Sequence, residues 1–396
     1  MVPCLFLAFA FLVAFPTSGL SEVLSGRAIV WLDGIHGNDR NSGSSPQHPV
    51  ATLPVAVQRL PAGGGDIHAA PAEYAVTSPL SFKPHSLVAV TTWPNPGSQT
   101  VTHAPAPRAA IRFSGSGRVR VGLANLTITD IDLYGPDATA GAAPKGSAEQ
   151  LAMVLVDVGS FTAQNTAFVN APVLCSRGWV ALAGVAIRDT VVNGVNSSVR
   201  CDVECRLYVA GLVATNTVVG PFSSLISASN SDTVSDIAVI NMTSAMGAVA
   251  LRLQGAAGSR FDMRNVSFVD CAMGPTSRAL IISDTPLVFL NDIHFTNVSA
   301  CVGVRVLGAS RVFGSSLSLQ AGSSLAGPSA DNACSFLSLE SDSNSTAMSV
   351  LLQGVSVSHS DLVCPLAHAH MPPRKWFSLS KTVSRLSSLV SRLSSL

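Results

Sequence analysis

The sequence predicts an all-β fold, a right-handed parallel β-helix (a solenoid of stacked coils) with a short N-terminal capping helix. Two observations lead there. A strand-like pattern with a turn residue on either side recurs along most of the chain. Charged residues are also too scarce for a body clad in amphipathic helices: 12% of the 396 residues are charged and 47% are apolar, about half the charged share of an ordinary soluble domain.

The repeat consists of a turn-former, then apolar-any-apolar-any, then most often Asn or Asp, as in Asn125 through Asp130. With the second apolar residue as anchor, the series is Ile128, Phe168, Ile187, Ala214, Val239, Phe268, Phe295, Leu319 and Val357, spaced 40, 19, 27, 25, 29, 27, 24 and 38 residues apart. Three residues before the anchors stand Asn125, Asn165, Gly184, Gly211, Asp236, Asn265, Asp292, Ser316 and Gly354, residue types that tolerate turn geometry. Two residues after the anchor, seven of the nine positions are Asn or Asp.

A period of two marks a strand with one buried face. Such a unit cannot bury its apolar face alone, so the repeats must stack, each strand pairing in parallel with its equivalent in the next coil. Stacked Asn and Asp at one corner are expected to form a side-chain ladder inside the core. A β-sandwich of short strands is the other all-β arrangement, but it supplies no reason for a polar corner residue to recur at coil length.

The N-terminal apolar run Leu5 to Phe15, followed by Pro16, Thr17, Ser18 and Gly19, reads as a signal peptide over 1–19. The run carries no Lys or Arg before it, and a short membrane anchor is the alternative reading. The β-helix domain is expected over 20–365, with the repeats over 119–364, and 366–396 as a low-complexity tail that repeats every seven residues from Ser384. No later stretch reaches the roughly 18 apolar residues of a transmembrane helix. A net charge of +1 without a basic cluster excludes a nucleic-acid partner on electrostatic grounds.

Upstream of the repeats stands Asp33-Gly-Ile-His-Gly-Asn-Asp-Arg-Asn-Ser-Gly-Ser-Ser-Pro46. His48-Pro-Val-Ala-Thr-Leu53 follows and leads into a helix-like stretch to Leu60, then Gly63-Gly-Gly-Asp-Ile-His-Ala-Ala-Pro-Ala-Glu-Tyr74. Residues 28–80 resemble the N-terminal segment of pectin-lyase-like right-handed parallel β-helix proteins, where a Gly/Asn/Asp-rich turn and a capping helix precede the first coil. The resemblance is specific for the fold and implies no particular enzyme family. It does imply where to look for chemistry, because members that cleave acidic polysaccharides use Asp clusters for calcium and an Arg or Lys base on the outer face of one sheet.

On this chain the outward residues flanking the anchors include Thr127, Ala167, Ala186, Val213, Ala238, Ser267, His294, Ser318 and Ser356, and on the other side Thr129, Val169, Arg188, Ile240, Val269 and Thr296. Only Arg188 and His294 can do acid–base work, and they belong to distant coils. The pairs Asp130 with Asp132 and Asp232 with Asp236 have calcium-like spacing, but carboxylates at strand ends are ordinarily turn caps. No catalytic, cofactor or metal residue is therefore assigned. The expectation is a secreted or cell-surface, non-catalytic protein that binds an extracellular polysaccharide or surface protein. The alternative is a polysaccharide lyase or glycoside hydrolase acting on an acidic polysaccharide.

Removing Cys4 with the signal leaves seven cysteines. Three pairs share a separation of 30 residues: Cys175–Cys205, Cys271–Cys301 and Cys334–Cys364. These are the disulfide candidates in an exported chain, with Cys201–Cys205 as the rival to the first. Six sequons occur. Asn196 and Asn344 lie in polar stretches between repeats and are the first glycosylation candidates, with Asn125 and Asn265 at strand starts. Asn241 and Asn297 fall on the expected internal ladder and should be buried and bare.

Overall fold

The computed structural model describes residues 27–93, 108–136, 152–193, 197–255, 260–320, 324–325, 335–340, 349–357, 361–362 and 367–370. Among the described residues the chain is strand after strand with one short helix, α1 (Leu53–Arg59). Among the described residues every strand pairing is parallel, and each strand pairs with its equivalent one coil earlier and one coil later. No helix there is long and apolar enough to cross a membrane.

Alternation decides which side chains enter the core. In Ala109–Phe113 and Asn125–Thr129, every second residue is buried, and stacking coils turns these residues into continuous columns. One column runs through Tyr74, Ile111, Leu133, Phe168, Ile187, Ala214, Val239, Phe268, Phe295, Leu319 and Val357. Its neighbour runs through Ile67, Val90, Ile128, Ala163, Leu182, Val209, Val234, Met263 and Leu290. Within the first column Phe268 and Phe295 stack with centroids 4.9 Å apart, and Phe336 meets Phe295 edge-on. Such pairs add about 0.5–1.5 kcal/mol beyond the area they bury.

Eight of the nine sequence anchors thus share one column. Ile128 does not: it pairs with Ala163 in the neighbouring column, and Leu133 is the row-mate of Phe168. The reason is local. The strands on both sides of the corner have the same period of two and end in Asn or Asp, so the pattern alone cannot tell one side from the other.

Two corners bound the short strand that carries the first column, and both use left-handed backbone. One row holds Asp130, Asn165, Gly184, Gly211, Asp236, Asn265, Asp292, Ser316 and Gly354; the other holds Asn170, Asp189, Asn216, Asn241, Asp270 and Asn297, all with φ between 46° and 77°. Only Gly, Asn and Asp visit this region readily, which explains the recurrence. Four residues always separate the two corners, as in Asp236 to Asn241, Asn265 to Asp270 and Asp292 to Asn297. Variation in coil length therefore falls on the rest of the coil.

The side chains at these corners do form ladders. Nδ2 of Asn216 donates to Asp189 Oδ1 at 3.1 Å, that of Asn241 to Asn216 Oδ1 at 2.7 Å, and that of Asn297 to Asp270 Oδ1 at 2.7 Å. On the other row Asn265 donates to Asp236 at 2.8 Å and Asn165 to Asp130. These ladders lie outside the core, since Asn241, Asn265 and Asn297 are all exposed. The expected burial of Asn241 and Asn297 is corrected accordingly: a corner residue in left-handed backbone projects its side chain away from the coil interior, where the apolar columns leave no place for it.

At the N-terminal end, Leu53, Ala56 and Val57 of α1 are buried in the same core as Val30 and Leu32. Pro54 sits in its first turn, where a missing N–H costs nothing. Tyr74 donates its hydroxyl to the Ala70 carbonyl at 2.7 Å. At the other end strand pairing extends to Ala367–His370, which pairs with Ser335–Glu340, so the stack runs a few residues into the segment expected to be tail. Residues 1–19 and 371–396 lie outside the described residues.

Candidate functional site

The four-residue strand between the two corners presents a narrow outward strip. Ala186, Val213, Ala238, Ser267, His294 and Thr296 are half-buried to exposed there, while Ala167 and Ser318 are buried at 2% and 4% exposure. Arg188 is exposed, four coils from His294 in the register, or about 19 Å at the spacing of neighbouring strands. The two do not act on one reacting atom.

His294 has a partner that sequence reasoning missed. Its Nδ1 lies 2.6 Å from Ser318 Oγ in the next coil. The distance suits a base and nucleophile, but the serine is buried and, among the described residues, no carboxylate bonds the imidazole. The pair acts as a structural hydrogen bond between coils.

The carboxylates singled out by spacing are occupied by protein groups. Asp132 Oδ1 accepts from the Ala167 backbone N–H at 3.2 Å and lies 3.8 Å from Arg108, while Asp130 accepts from Asn165. Arg108 also donates to the Asn165 carbonyl at 2.9 Å and to its Oδ1 at 3.0 Å. Arg108 thus stands beside Asp132, and the Asn165 amide occupies Asp130. Asp236 is taken by Asn265, and the side chain of Asp232 lies outside the described residues.

Two other charged groupings lie outside the strip. Asp262 is clamped by Arg264, at 2.9 and 2.6 Å, and by Arg260 at 2.9 Å; Arg260 also lies 4.0 Å over the Phe289 ring. Hydrogen bonds from Arg264, reinforced by Arg260 against the effect of burial, hold the Asp262 carboxyl below the usual range. The second grouping centres on Arg305, which pairs with Glu340 through two hydrogen bonds at 2.8 and 2.7 Å.

The surface feature best suited to a ligand is aromatic. Val30, Leu32, Ile67 and Ala69 point into the core, so alternation turns Trp31 and His68, which are register partners, outward on the first coils. Trp93 joins them from the next coil. His68 and Trp93 stack at 4.9 Å with 8° between their planes, and Trp31 meets both edge-on at 4.9 Å. Trp93 is 37% exposed. Burial lowers the His68 pKa, partly opposed by the neighbouring Asp66, so the neutral ring that stacks well is favoured. Sequence reasoning overlooked this cluster because Trp31, His68 and Trp93 lie 37 and 25 residues apart, upstream of the recognisable repeats.

The cysteine expectations divide. Cys175 and Cys205 are bonded, with Cα atoms 5.9 Å apart. Cys271 and Cys301 are not: Cys271 is a buried free thiol, and Cys301 forms a disulfide of its own. Cys271 pairs with Val298 in the register, so an equal separation of 30 residues overshoots a coil of 27. Cys334 and Cys364 lie outside the described residues, as do Asn196 and Asn344.

No family model and no curated protein matches the chain. Among solved structures it is similar to the catalytic domain of a GH87 α-1,3-glucanase in complex with nigerose, at 10% identity and a TM-score of 0.38 over 84% of this chain. The chain spans 66% of that domain. It is also similar to a GH136 lacto-N-biosidase from Eubacterium ramulus, at 10% identity and 0.32 over 89% of this chain and 69% of that one. A third similar structure is a surface adhesin of Streptococcus pneumoniae, at 11% identity and 0.31 over 90% of this chain and 94% of that one. No activity is transferred from any of them, and the architecture rests on the strand register: the chain is an all-β protein whose coils stack as a parallel β-helix.

Proposed function

We propose that this protein is an exported, non-catalytic glycan-binding β-helix, right-handed in its coiling and covered at its N-terminal end by α1. The handedness is that of nearly all parallel crossover connections. The observation that carries the binding reading is the aromatic platform of Trp31, His68 and Trp93. Aromatic faces held on a rigid sheet offer apolar area with polar edges at little entropic cost, which suits the C–H faces of sugar rings. The corner ladders and the largely Ser/Thr/Ala strip supply further hydrogen-bonding surface along the coils.

Export implies removal of residues 1–19 and, in a eukaryotic secretory pathway, glycosylation at Asn196 and Asn344. Asn125 joins them, because its Oδ1 accepts from Ser160 at 2.6 Å while its Nδ2 has no partner among the described residues. Asn265, Asn241 and Asn297 commit Nδ2 to the corner ladders and are expected to stay bare.

The test is a screen of neutral oligosaccharides followed by calorimetry on the full chain. Trp31→Ala and Trp93→Ala should each weaken binding about tenfold, equivalent to about 1.4 kcal/mol, without lowering the secondary-structure signal. Equal affinity of both variants and the wild type, or steady release of new chain ends from the bound glycan, overturns the proposal.

A further inference from the structure

A second binding site is written into a different face, and it goes beyond the neutral-glycan reading. Arg252 lies in Val249–Gly255, Arg278 opens Arg278–Ser283 and Arg305 lies in Val302–Leu307, three successive coils. The register runs Arg252 to Ile281 to Arg305, so the outer two arginines are two coils apart, about 10 Å, and Arg278 sits three residues before Ile281 in the coil between. Among the described residues only Glu340 answers them, and it is held by Arg305 through Nε and Nη2. Among those residues, three guanidinium charges thus face one carboxylate.

The excess is not a chance of solvated surface. Arg252 is exposed and makes no hydrogen bond or ion pair among the described residues. Arg278 is half-buried, and its Nε is shielded from solvent with no hydrogen-bond partner among them. Burial, and then the like charges of Arg305 and Arg252 against the opposing pull of Glu340, lower the Arg278 pKa. A buried donor left unpaired costs about 1–3 kcal/mol, and like charges on adjacent coils add to that cost. In a chain with only 24 Lys and Arg, such a cluster is destabilising until an anion enters it.

We propose that Arg252, Arg278 and Arg305 form an oxyanion-binding site that takes the sulfate ester or carboxylate groups of an anionic glycan. Guanidinium groups donate in a fixed fork that matches both anions. The same lateral row also carries Arg200, which leads through Ser227 to Arg252 and is itself paired with Asp202 at 3.0 Å. Arginines thus recur every second coil, a spacing comparable with one disaccharide of an extended chain laid along the coil axis.

The experiment measures binding of the full chain to chondroitin sulfate, to hyaluronan (carboxylate only) and to dextran as a neutral control, with inorganic sulfate as competitor. The expected result is binding to chondroitin sulfate that weakens with salt and falls at least tenfold in Arg252→Gln and Arg278→Gln, while Arg188→Gln, which removes the same charge from another face, leaves it unchanged. Equal binding of hyaluronan makes a carboxylate sufficient; loss of it assigns the site to sulfate; both support the site. Arg278→Gln should also keep or raise the unfolding temperature, because it removes repulsion, whereas a purely structural arginine would lower it. Absence of binding to both anionic glycans, unchanged affinity in the two variants, or an equal loss in Arg188→Gln overturns the proposal. The tryptophan variants are read on neutral glycan, so the two sites fail independently.

Discussion

Cys175 stands directly opposite Cys201 in the strand register, yet it is bonded to Cys205, four residues further on. An irregularity between Cys175 and Arg177 makes this possible, and the Cys201 thiol lies with the other two sulfurs in one group whose atoms are within 4.8 Å. Burial raises the Cys201 pKa far above its usual value, with Asp202 adding to the shift, and burial pushes that of Cys271 up to about 11.

Thiol chemistry at these positions is therefore expected to be silent in the folded protein, because the thiolate is the reactive form. Iodoacetamide at pH 8 should label Cys201 and Cys271 only after unfolding, read by peptide mapping. In Cys205→Ser the register partners Cys175 and Cys201 should bond instead, since neighbouring parallel strands fall within the Cα range of a disulfide. Recovery of Cys175 and Cys201 as free thiols from the oxidised variant would refute the register.

The corner ladders make a prediction in which alanine is worse than glycine. Asn241 has φ 52° and donates to Asn216 at 2.7 Å. Asn241→Ala loses the hydrogen bond and places an alanine in left-handed backbone, together about 1–3 kcal/mol. Asn241→Gly loses the bond but keeps the conformation at ease, offset in part by the freer unfolded chain. Denaturant titration should rank wild type above Gly above Ala, and the reverse order of the two variants would remove the left-handed assignment.

Acid should loosen the coils around Asp262. Its pKa is depressed in the folded state, so its contribution is fully present above about pH 4, the unfolded value, and fades as pH falls through the lower folded value. Asp262→Asn should remove that part of the acid dependence and cost about 1–3 kcal/mol at neutral pH, because two arginines lose a charged partner. Melting curves between pH 2 and 7 decide this. A variant with the same acid slope as the wild type would show that the carboxylate is not the group responsible.

The fold was legible wherever a chemical need repeats at a fixed place. Left-handed corners favour Gly, Asn and Asp, with Ser316 the one exception in the two rows, and these positions marked the coils from Phe168 to Val357 correctly. Ile128 went astray because adjacent sides of the coil share one pattern, and Asn241 because a ladder looks the same in sequence whether it runs inside or outside the wall. Contacts across coils of unequal length left no such trace. Neither His294 beside Ser318 nor the gathering of Arg252, Arg278 and Arg305 follows from spacing, since each depends on a register that only the folded coil length sets.

The constant four-residue strand between the corners divides the protein into a part that keeps time and a part that is free to change. Whatever residues are added between one corner pair and the next, the following pair can fall back into step, and the columns of core residues beneath it stay aligned. Insertions on the remaining sides of the coil are thus absorbed without a frameshift in the architecture. Such a wall can accept new loops at many levels while its spine stays the same, and a grafted binding loop placed between Asn216 and Asp236 should leave the register at Asn241 untouched.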